Sequence, residues 1–309
     1  MKKVLSIVIP CYNEQQNIQA FHMETEKYVQ QLDVEVEYVF TDDGSKDKTL
    51  DLLRDLAETH RNVHYISFSR NFGKESAILA GLQYASGDAV ILMDADLQHP
   101  PTLIPQMWSH YEEGYDQVTA KRNRNGENYA RRKLTNFFYK VANRLVEVTI
   151  IDGVGDFRLL SRQAVDAVLK LTEYNRFSKG IFSWIGFHEK ILEYENQTRA
   201  NGVGKWSFTS LFNYAIDGIL SFNNKPLRIA IYSGIFITIF GFIYILFTLV
   251  NYFLHGIDTP GYFTTISAII LLGGIQLLFL GVIGEYIGRI YYETKHRPHY
   301  LIKEKSDKE

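Results

Sequence analysis

The sequence predicts an α/β domain with a mainly parallel sheet, followed by two membrane-spanning helices. In residues 1–120, short β-rich runs alternate with segments whose apolar residues recur at helical spacing, a pattern typical of parallel α/β folds. Further along, residues 229–254 and 262–284 contain no charged residue. About 20 apolar residues cross a hydrocarbon core of about 30 Å, so each of these two segments is long enough to span a membrane.

Five short apolar runs are predicted to be strands of the sheet. They are residues 4–9, 36–41, 63–68, 89–93 and 117–120. Polar clusters follow three of them: CYNE after the first, DDGS after the second and DADLQ after the fourth. Because ligands bind at the carboxyl ends of parallel strands, we expect these clusters to form a common site.

The composition argues against several classes of function. The formal net charge is -2, which gives no support for a nucleic-acid-binding protein. The single cysteine, Cys11, cannot form an internal disulfide and fits a reducing compartment. No GxGxxG or GxxxxGK[ST] motif follows a predicted strand, so we expect phosphate groups to be bound by other means than a glycine-rich loop.

Flanking charges orient the two predicted membrane helices. Lys225 and Arg228 precede the first, and three basic residues between positions 289 and 297 follow the second, whereas the linker between them has no Lys or Arg. The positive-inside rule then places both ends in the cytoplasm. The N-terminal apolar run is too short for a signal peptide, so residues 1–205 are expected to stay on the cytosolic side.

Residues 206–227 are predicted to form an amphipathic helix and a linker at the membrane surface. Between Phe208 and Leu220, apolar residues fall on one helical face and polar residues on the opposite one. A helix packed on the domain core would show the same stripe, but Trp206 and the adjoining span favour the membrane interface. After the spans at 228–292, residues 293–309 are predicted to be a charged cytosolic tail, with KEKSDKE at its end lacking fixed structure.

Asp94 and Asp96 stand two positions apart after the fourth predicted strand, so their carboxylates converge. A hard divalent cation, Mg²⁺ or Mn²⁺, would relieve their repulsion, with phosphate oxygens of a ligand completing its shell. Gln98 has the same spacing and is predicted to add an amide oxygen. Solvated acidic pairs are common where loops begin, but the preceding apolar run favours a metal site.

Asp42 and Asp43 follow the second predicted strand, where Gly44 and Ser45 suit a tight turn. Carboxylates accept hydrogen bonds from base NH and ribose hydroxyl groups, so a nucleoside is a natural ligand for this loop. Taken alone, the loop is equally typical of an aspartate that caps the next helix.

A basic stretch precedes an apolar segment in the middle of the chain. Its basic residues are Arg122, Arg124, Arg131, Arg132 and Lys133. A solvated basic face is one interpretation. The preferred one is a helix near the bilayer whose arginines bind a lipid phosphate, because a guanidinium group binds phosphate through two hydrogen bonds. Arg199 and Lys205 are secondary candidates for the same role.

The chain resembles the family-2 glycosyltransferases of the polyprenyl-phosphate type in six ordered motifs. These are IPCYNE, DDGS, RNFGKESAILAG, GD, DADLQHPP and GDFRLLSR. The two spans and the ending GEYIGRIYYETKHRPHY resemble in particular the bacterial bactoprenol-phosphate glycosyltransferases. The resemblance implies a nucleotide-diphospho-sugar transferase fold of the GT-A type, with residues 1–205 as the catalytic domain.

The resemblance also implies roles for individual residues. Together with the acidic loop above, the residues predicted to bind the nucleotide are Pro10, Tyr12, Glu14, Asp42, Asp43 and Asp94. Asp94, Asp96 and Gln98 are predicted to bind the metal. Asp156, with Arg158 beside it, is the position that the family offers as catalytic base. A phosphate monoester has a second pKa of about 6 and is mostly ionised at neutral pH, so Asp156 has an alternative role in orienting the sugar hydroxyls or Arg158.

The predicted reaction is the inverting transfer of a hexose from a UDP-sugar to undecaprenyl phosphate or another polyprenyl phosphate, with glucose or N-acetylglucosamine favoured. A GDP-mannose or amino-pentose donor is the alternative within the class. A catalytically inactive sugar-nucleotide sensor or scaffold is the alternative from another class. The resemblance further implies a multi-pass protein of the plasma membrane, a homotetramer and a small membrane flippase as a partner.

Overall fold

The computed structural model describes residues 2–123, 151, 153–195, 225–255 and 261–306. The strands within these residues are β1 (Val4–Cys11), β2 (Glu35–Asp42), β3 (Val63–Phe68), β4 (Ala89–Leu92), β5 (Gln117–Arg122), β6 (Val154–Ser161), β7 (Glu189–Tyr194) and β8 (Ile302–Lys305). The helices are α1 (Ile18–Val29), α2 (Thr49–Thr59), α3 (Lys74–Tyr84), α4 (Ile104–Glu112), α5 (Arg162–Lys170), α6 (Ser178–Trp184), α7 (Lys225–His255) and α8 (Tyr262–Thr294), with a short 3-10 turn at Pro101–Leu103.

The strands form an eight-stranded sheet in the order β7-β5-β6-β4-β1-β2-β3-β8. The central strands β4, β1, β2 and β3 are mutually parallel. Antiparallel β6 and β8 border this central part, and β5 and β7 extend the sheet beyond β6 as a parallel pair. The sheet is therefore mixed and mostly parallel, as the sequence predicts.

Helices cover both faces of the central strands. Leu5, Ile7 and Ile9 of β1 point into one apolar cluster with α1, α2 and α4, and Val8 points into a second one with α3. Strands buried on both faces are typical of parallel sheets. A Cβ atom on Gly81 would lie 2.2 Å from Cγ1 of Val8, so α3 packs this closely on β1 only because a glycine stands there.

All five predicted strands are present, and their ends are shifted by at most two residues. β1 continues to Cys11, where Pro10 is tolerated because the ladder with β4 has already ended at Val8. The sequence patterns did not predict β6, β7 or β8.

Two long helices, α7 and α8, contain the segments predicted to span a membrane. Among the described residues, Leu271–Thr294 is long and apolar enough to do so, and its most apolar stretch has no buried residue. Ala230–Tyr244 is apolar but shorter. A second membrane-spanning helix therefore stays a prediction. Residues 206–224 of the predicted interfacial helix lie outside the described residues.

The chain returns to the sheet after α8. β8 pairs with β3, and Arg54 of α2 donates two hydrogen bonds, of 2.8 and 2.7 Å, to the Glu304 carboxylate. Tyr300 stacks on Phe68 with the ring centroids 4.7 Å apart. The expectation that the charged tail lacks fixed structure is thus wrong for residues 303–305, because these tertiary contacts hold a polar strand at the sheet edge.

Candidate active site

The register of two neighbouring strands brings Asp94 and Asp156 together. In the antiparallel pair of β4 and β6, Leu92 lies opposite Arg158. If this register is continued beyond the end of β4, Asp94 lies opposite Asp156. Side chains two positions apart on a strand share a face, so Asp94, Asp156 and Arg158 all face the side of the sheet on which α3 packs.

Lys74, the first residue of α3, lies between the two carboxylates. Its Nζ atom is 2.6 Å from Oδ1 of Asp94 and 2.7 Å from Oδ2 of Asp156. Burial by itself would raise the pKa of Asp156, but the nearby cations of Lys74, Lys179 and Arg158 lower it below its usual range. Asp156 is therefore an ionised carboxylate at neutral pH.

Arg158 and Lys179 extend the positive charge beside Asp156. Arg158 is buried, and its guanidinium group lies 4.0 Å from the centre of the Phe182 ring and donates to the carbonyl oxygen of Gly155. Burial lowers the pKa of the Lys179 ammonium. Both side chains line a small pocket, together with Ile151, Val154, Ser183 and Glu189.

His99 fixes the turn that carries Asp94 and Asp96. The backbone N–H of Asp94 donates to Nδ1 of His99 over 3.0 Å, and the His99 ring stacks on Phe157 with centroids 5.0 Å apart. Burial lowers the pKa of His99, which keeps its ring neutral and able to accept this bond. The N–H of Gln98 donates to Oδ1 of Asp96 over 3.1 Å, which tightens the same turn.

The chemistry of this turn fits the predicted divalent cation. Asp94 and Asp96 supply two carboxylates at the carboxyl end of β4, and neither residue is fully buried. Within the described part of the chain, no group of three or more His, Cys, Asp and Glu residues is placed to hold a metal. Mg²⁺ is commonly held by one or two carboxylates with water and substrate phosphates as its other ligands, so two protein carboxylates suffice. The metal role of Asp94, Asp96 and Gln98 stays a prediction.

The loop after β2 is held by its own aspartates. Asp42 accepts hydrogen bonds from the N–H of Ser45 and from Oγ of Ser67, at 3.0 and 2.7 Å. Asp43 accepts from the N–H groups of Phe72 and Gly73, at 2.6 and 2.9 Å. Neither aspartate caps α2, whose N-cap residue is Lys48. The nucleotide-binding roles of Asp42 and Asp43 stay predictions.

The residues after β1 lie beside this loop. The N–H of Asp43 donates to the carbonyl oxygen of Cys11 over 2.9 Å, which joins the ends of β1 and β2. Glu14 accepts a 2.6 Å hydrogen bond from Asn17, and its N–H donates to Oγ1 of Thr49. These bonds hold the segment after β1 next to the acidic loop, and the nucleotide-binding roles of Pro10, Tyr12 and Glu14 stay predictions.

The structure places one of the four residues predicted to bind the acceptor phosphate. Arg122 is the last residue of β5, opposite Tyr194 of β7. Arg131, Arg132 and Lys205 lie outside the described residues, so their role stays a prediction.

The sequence analysis assigned no role to Lys74, Glu75 or His99. All three lie in motifs that carry the family resemblance, and the charged pair after Gly73 was the available signal. Glu75 accepts hydrogen bonds from the backbone N–H and the hydroxyl of Ser178. Burial, aided by the negative charge of Asp156, raises the pKa of Glu75 to about 7.

A mixed, mostly parallel sheet with paired carboxylates at its carboxyl edge is the arrangement of a GT-A-like nucleotide-sugar transferase. The chain belongs to glycosyl transferase family 2, whose sequence profile matches residues 6–169. The profile of the GtrB C-terminal hairpin matches residues 225–290. These matches confirm the resemblance to family-2 glycosyltransferases of the polyprenyl-phosphate type.

Similar proteins match over nearly the whole chain. The putative glycosyltransferase CsbB of Bacillus subtilis (strain 168) is 59% identical over 301 residues, which cover 97% of this chain and 92% of CsbB. The bactoprenol glucosyl transferase of Shigella phage SfV is 42% identical over 305 residues, 98% and 99% of the two chains. Among solved structures, glucosyl-3-phosphoglycerate synthase from Mycobacterium tuberculosis in complex with Mn²⁺ and UDP-glucose matches at 17% identity and a TM-score of 0.46, over 69% of this chain and 76% of that one. That similarity is too distant to transfer residue roles.

Proposed function

We propose that the protein transfers glucose from UDP-glucose to a polyprenyl phosphate, with inversion at the anomeric carbon. The observation that carries this proposal is the meeting of Asp94, just beyond the end of β4, with Asp156 of the adjacent strand β6, with Lys74 between them. It places a predicted metal ligand next to the predicted catalytic carboxylate. The bactoprenol glucosyl transferase of phage SfV, similar over the full length, supports glucose as the sugar and a polyprenyl phosphate as the acceptor.

On the donor side, the loops after β1 and β2 bind the nucleoside through Pro10, Tyr12, Glu14, Asp42 and Asp43. Asp94 and Asp96 would hold Mg²⁺ or Mn²⁺. When bound, the cation would supply positive charge that stabilises negative charge developing on the leaving diphosphate.

In the transfer step, an oxygen of the lipid phosphate forms a bond to the anomeric carbon. The bond from that carbon to the β-phosphate oxygen breaks, and UDP leaves from the opposite face with the electron pair. The cations beside Asp156 lower its pKa and make it a weak base, and the lipid phosphate, with a second pKa of about 6, has little need of a base at neutral pH. Asp156 therefore serves to orient Arg158 and the sugar hydroxyls, and its isostere Asp156→Asn should retain measurable turnover.

The acceptor reaches the site from the membrane. We propose that α7 and α8 both span the bilayer, with the N-terminal end of α7 and the C-terminal end of α8 in the cytoplasm, as the flanking basic residues indicate. The phosphate of the lipid is then bound by Arg122, Arg131, Arg132 and Lys205. The return of the chain to the sheet through β8 supports this arrangement, because it ties the cytoplasmic end of α8 to the catalytic domain.

The test is a transfer assay with the full-length protein in detergent. The protein, undecaprenyl phosphate and Mn²⁺ or Mg²⁺ are incubated with one donor in each reaction: UDP-glucose, UDP-N-acetylglucosamine or GDP-mannose. The lipid product is identified by mass spectrometry. We expect a hexosyl product from UDP-glucose, a β-linkage by NMR, and a loss of about 10²-fold or more in Asp94→Asn.

The alternatives give different results. A product from GDP-mannose alone would replace the proposed donor, and full turnover in excess chelator would remove the metal from the mechanism. If every donor leaves the lipid unmodified although the protein binds UDP-glucose, the chain is a sugar-nucleotide sensor. Lys27→Met on α1, whose lysine pairs with Glu24, is the control and should keep wild-type turnover.

A further inference from the structure

We propose that Lys74 is a positioning residue, whose ammonium group holds Asp94 and Asp156 together and competes with the divalent cation for Asp94. The inference deepens the proposed function and rests on it for the roles of the two aspartates. Neither the sequence patterns nor the matched families assign Lys74 a role.

The Lys74 ammonium offsets a repulsion between the two site carboxylates. Asp94 lies two residues beyond the end of β4 and Asp156 lies on β6, and their negative charges repel. The Lys74 Nζ atom is 2.6 Å from Asp94 and 2.7 Å from Asp156. Removing the ammonium leaves both negative charges at the same edge of the sheet. The two aspartates would then separate or take up another cation.

The backbone around Lys74 is fixed from several sides. The N–H groups of Phe72 and Gly73 are bound by the Asp43 carboxylate. Glu75 accepts hydrogen bonds from Ser178 of α6. The starting point of the lysine side chain is therefore set by the predicted nucleotide loop and by α6, and from there its ammonium group reaches both carboxylates.

Lys74 and the predicted metal share one ligand. Lys74 binds Oδ1 of Asp94, the same carboxylate that is predicted to hold the metal. A divalent cation and an ammonium group repel, so each weakens the binding of the other to Asp94. The Lys74 side chain is 44% exposed, which leaves it room to move from Asp94 while it keeps its contact with Asp156.

The first measurement is Mn²⁺ binding to the full-length protein by isothermal titration calorimetry, without donor or lipid. We expect Lys74→Met to bind Mn²⁺ more tightly by at least about fivefold, the factor that corresponds to about 1 kcal/mol between charges 4 Å apart in water. Its turnover should nevertheless fall by about 10²-fold, because the two aspartates are no longer held in place. A lysine with a merely structural role would not strengthen metal binding. Lys27→Met is the matched control and should equal the wild type in both measurements.

The second measurement does not depend on a metal. The unfolding temperatures of Lys74→Met, Asp156→Asn and the double variant are compared, and we expect the loss in the double variant to be smaller than the sum of the single losses. Additive losses, or Mn²⁺ binding that is unchanged or weaker in Lys74→Met, would overturn the proposal. If Lys74→Met does not fold, Lys74→Gln gives the same comparisons.

The failures of the two proposals can be told apart. If the wild-type protein binds no Mn²⁺ even with UDP present, the metal in the proposed function is wrong, and with it the competition for Asp94. The stability comparison then decides whether Lys74 still positions Asp156. If Mn²⁺ binding changes as expected but no sugar is transferred, the inference about Lys74 holds and the proposed reaction does not.

Discussion

Helices α3 and α8 each contain a stretch that is apolar on every side, residues 77–82 in α3 and 268–274 in α8, yet the two helices meet different surroundings. In α3, every residue from Ser76 to Leu82 is buried between the sheet and its neighbouring helices. In α8, the most apolar stretch has no buried residue, and Leu277 is 71% exposed. A helix that is hydrophobic all round belongs either in a protein core or in a membrane.

Length decides between the two environments. The 11 residues of α3 extend about 16 Å, too short to cross a hydrocarbon core of about 30 Å. The 33 residues of α8 extend about 50 Å, enough to cross it and to project beyond. Apolar composition on every side therefore indicates that a helix avoids water, and length limits which of the two environments is open to it.

The two helices are nevertheless linked through the segment that follows α8. Oγ of Ser76 in α3 donates to the carbonyl oxygen of His299 over 3.0 Å, and Tyr300 donates to Gln83 of the same helix. Lys74, the first residue of α3, lies two positions before Ser76 and bridges the two site aspartates. The buried helix thus connects the chain leaving the exposed helix to the candidate active site.

The same substitution in each helix gives the largest expected effect. Leu82→Asp in α3 places a carboxylate at a fully buried position and should cost at least about 3 kcal/mol, a large part of the stability of about 5 to 15 kcal/mol of a typical domain. Leu277→Asp in α8 should leave the unfolding temperature of the domain unchanged. Its cost, about 3 kcal/mol at a bilayer centre, should appear as weaker membrane insertion.

Both variants can be compared by thermal unfolding, monitored by the fluorescence of the buried Trp108, and by the membrane-bound fraction of expressed protein. Equal losses of domain stability in Leu82→Asp and Leu277→Asp would show that α8, like α3, is part of the folded core.

A smaller effect is expected at the start of α3. Burial raises the pKa of Glu75 to about 7 from its usual 4.5, so the folded protein binds this proton more tightly than the unfolded chain does. The associated stability is fully present below about pH 4.5 and is lost as the pH rises through 7. Glu75→Gln should therefore gain stability relative to the wild type as the pH rises from 5 to 8, by no more than about 3 kcal/mol for a pKa raised from 4.5 to about 7.

The titration of Glu75 is tested by the unfolding temperatures of the wild type and Glu75→Gln from pH 5 to pH 8. On α8, Glu285 has a side chain that is 51% exposed, and Glu285→Gln is the matched control, which should keep the pH dependence of the wild type. A constant difference between Glu75→Gln and the wild type from pH 5 to pH 8 would show that Glu75 does not titrate there.

Local patterns predicted the central part of the fold. The strands β1 to β5 are marked by apolar runs, and polar clusters follow β1, β2 and β4; both are properties of a few adjacent residues. β6 and β8 are antiparallel additions beside the parallel core, and their partners are distant in sequence. For β8, four residues with two lysines and a glutamate give no apolar alternation, and contacts from Arg54 and Tyr65 stabilise it.

The candidate site also has a part that the sequence predicted and a part that depends on tertiary structure. Asp94 and Asp96 were predicted from their spacing after a strand, and Asp156 from family resemblance. The bridge from Lys74 was not predicted, because it depends on the register of β4 with β6 and on the closeness of α3 to β1. Both are tertiary properties. A lysine after a glycine at a helix start otherwise indicates only a solvated side chain.

The smallest expected effect concerns the strand that follows α8. Glu304 accepts two hydrogen bonds from Arg54, but the two side chains are 28% and 40% exposed, so the pair contributes no more than about 1 kcal/mol. Glu304→Gln should lower the unfolding temperature of the domain by about 2 to 4 °C at pH 7. It should also speed hydrogen exchange in β8, which holds the end of the exposed helix to the sheet.

The hydrogen bonds from Arg54 lower the pKa of Glu304, so the pair stabilises the protein above the ordinary glutamate pKa of about 4.3. That contribution is lost as the pH falls through the lowered pKa. The difference between wild type and Glu304→Gln should therefore be constant from pH 6 to pH 8 and shrink below about pH 4. Asp51→Asn is the matched control, because Asp51 also binds Arg54, at 2.8 Å, but lies on α2. If Asp51→Asn speeds exchange in β8 as much as Glu304→Gln does, the strand is not held by this ion pair, and the link between the two helices rests on Ser76 and Tyr300 instead.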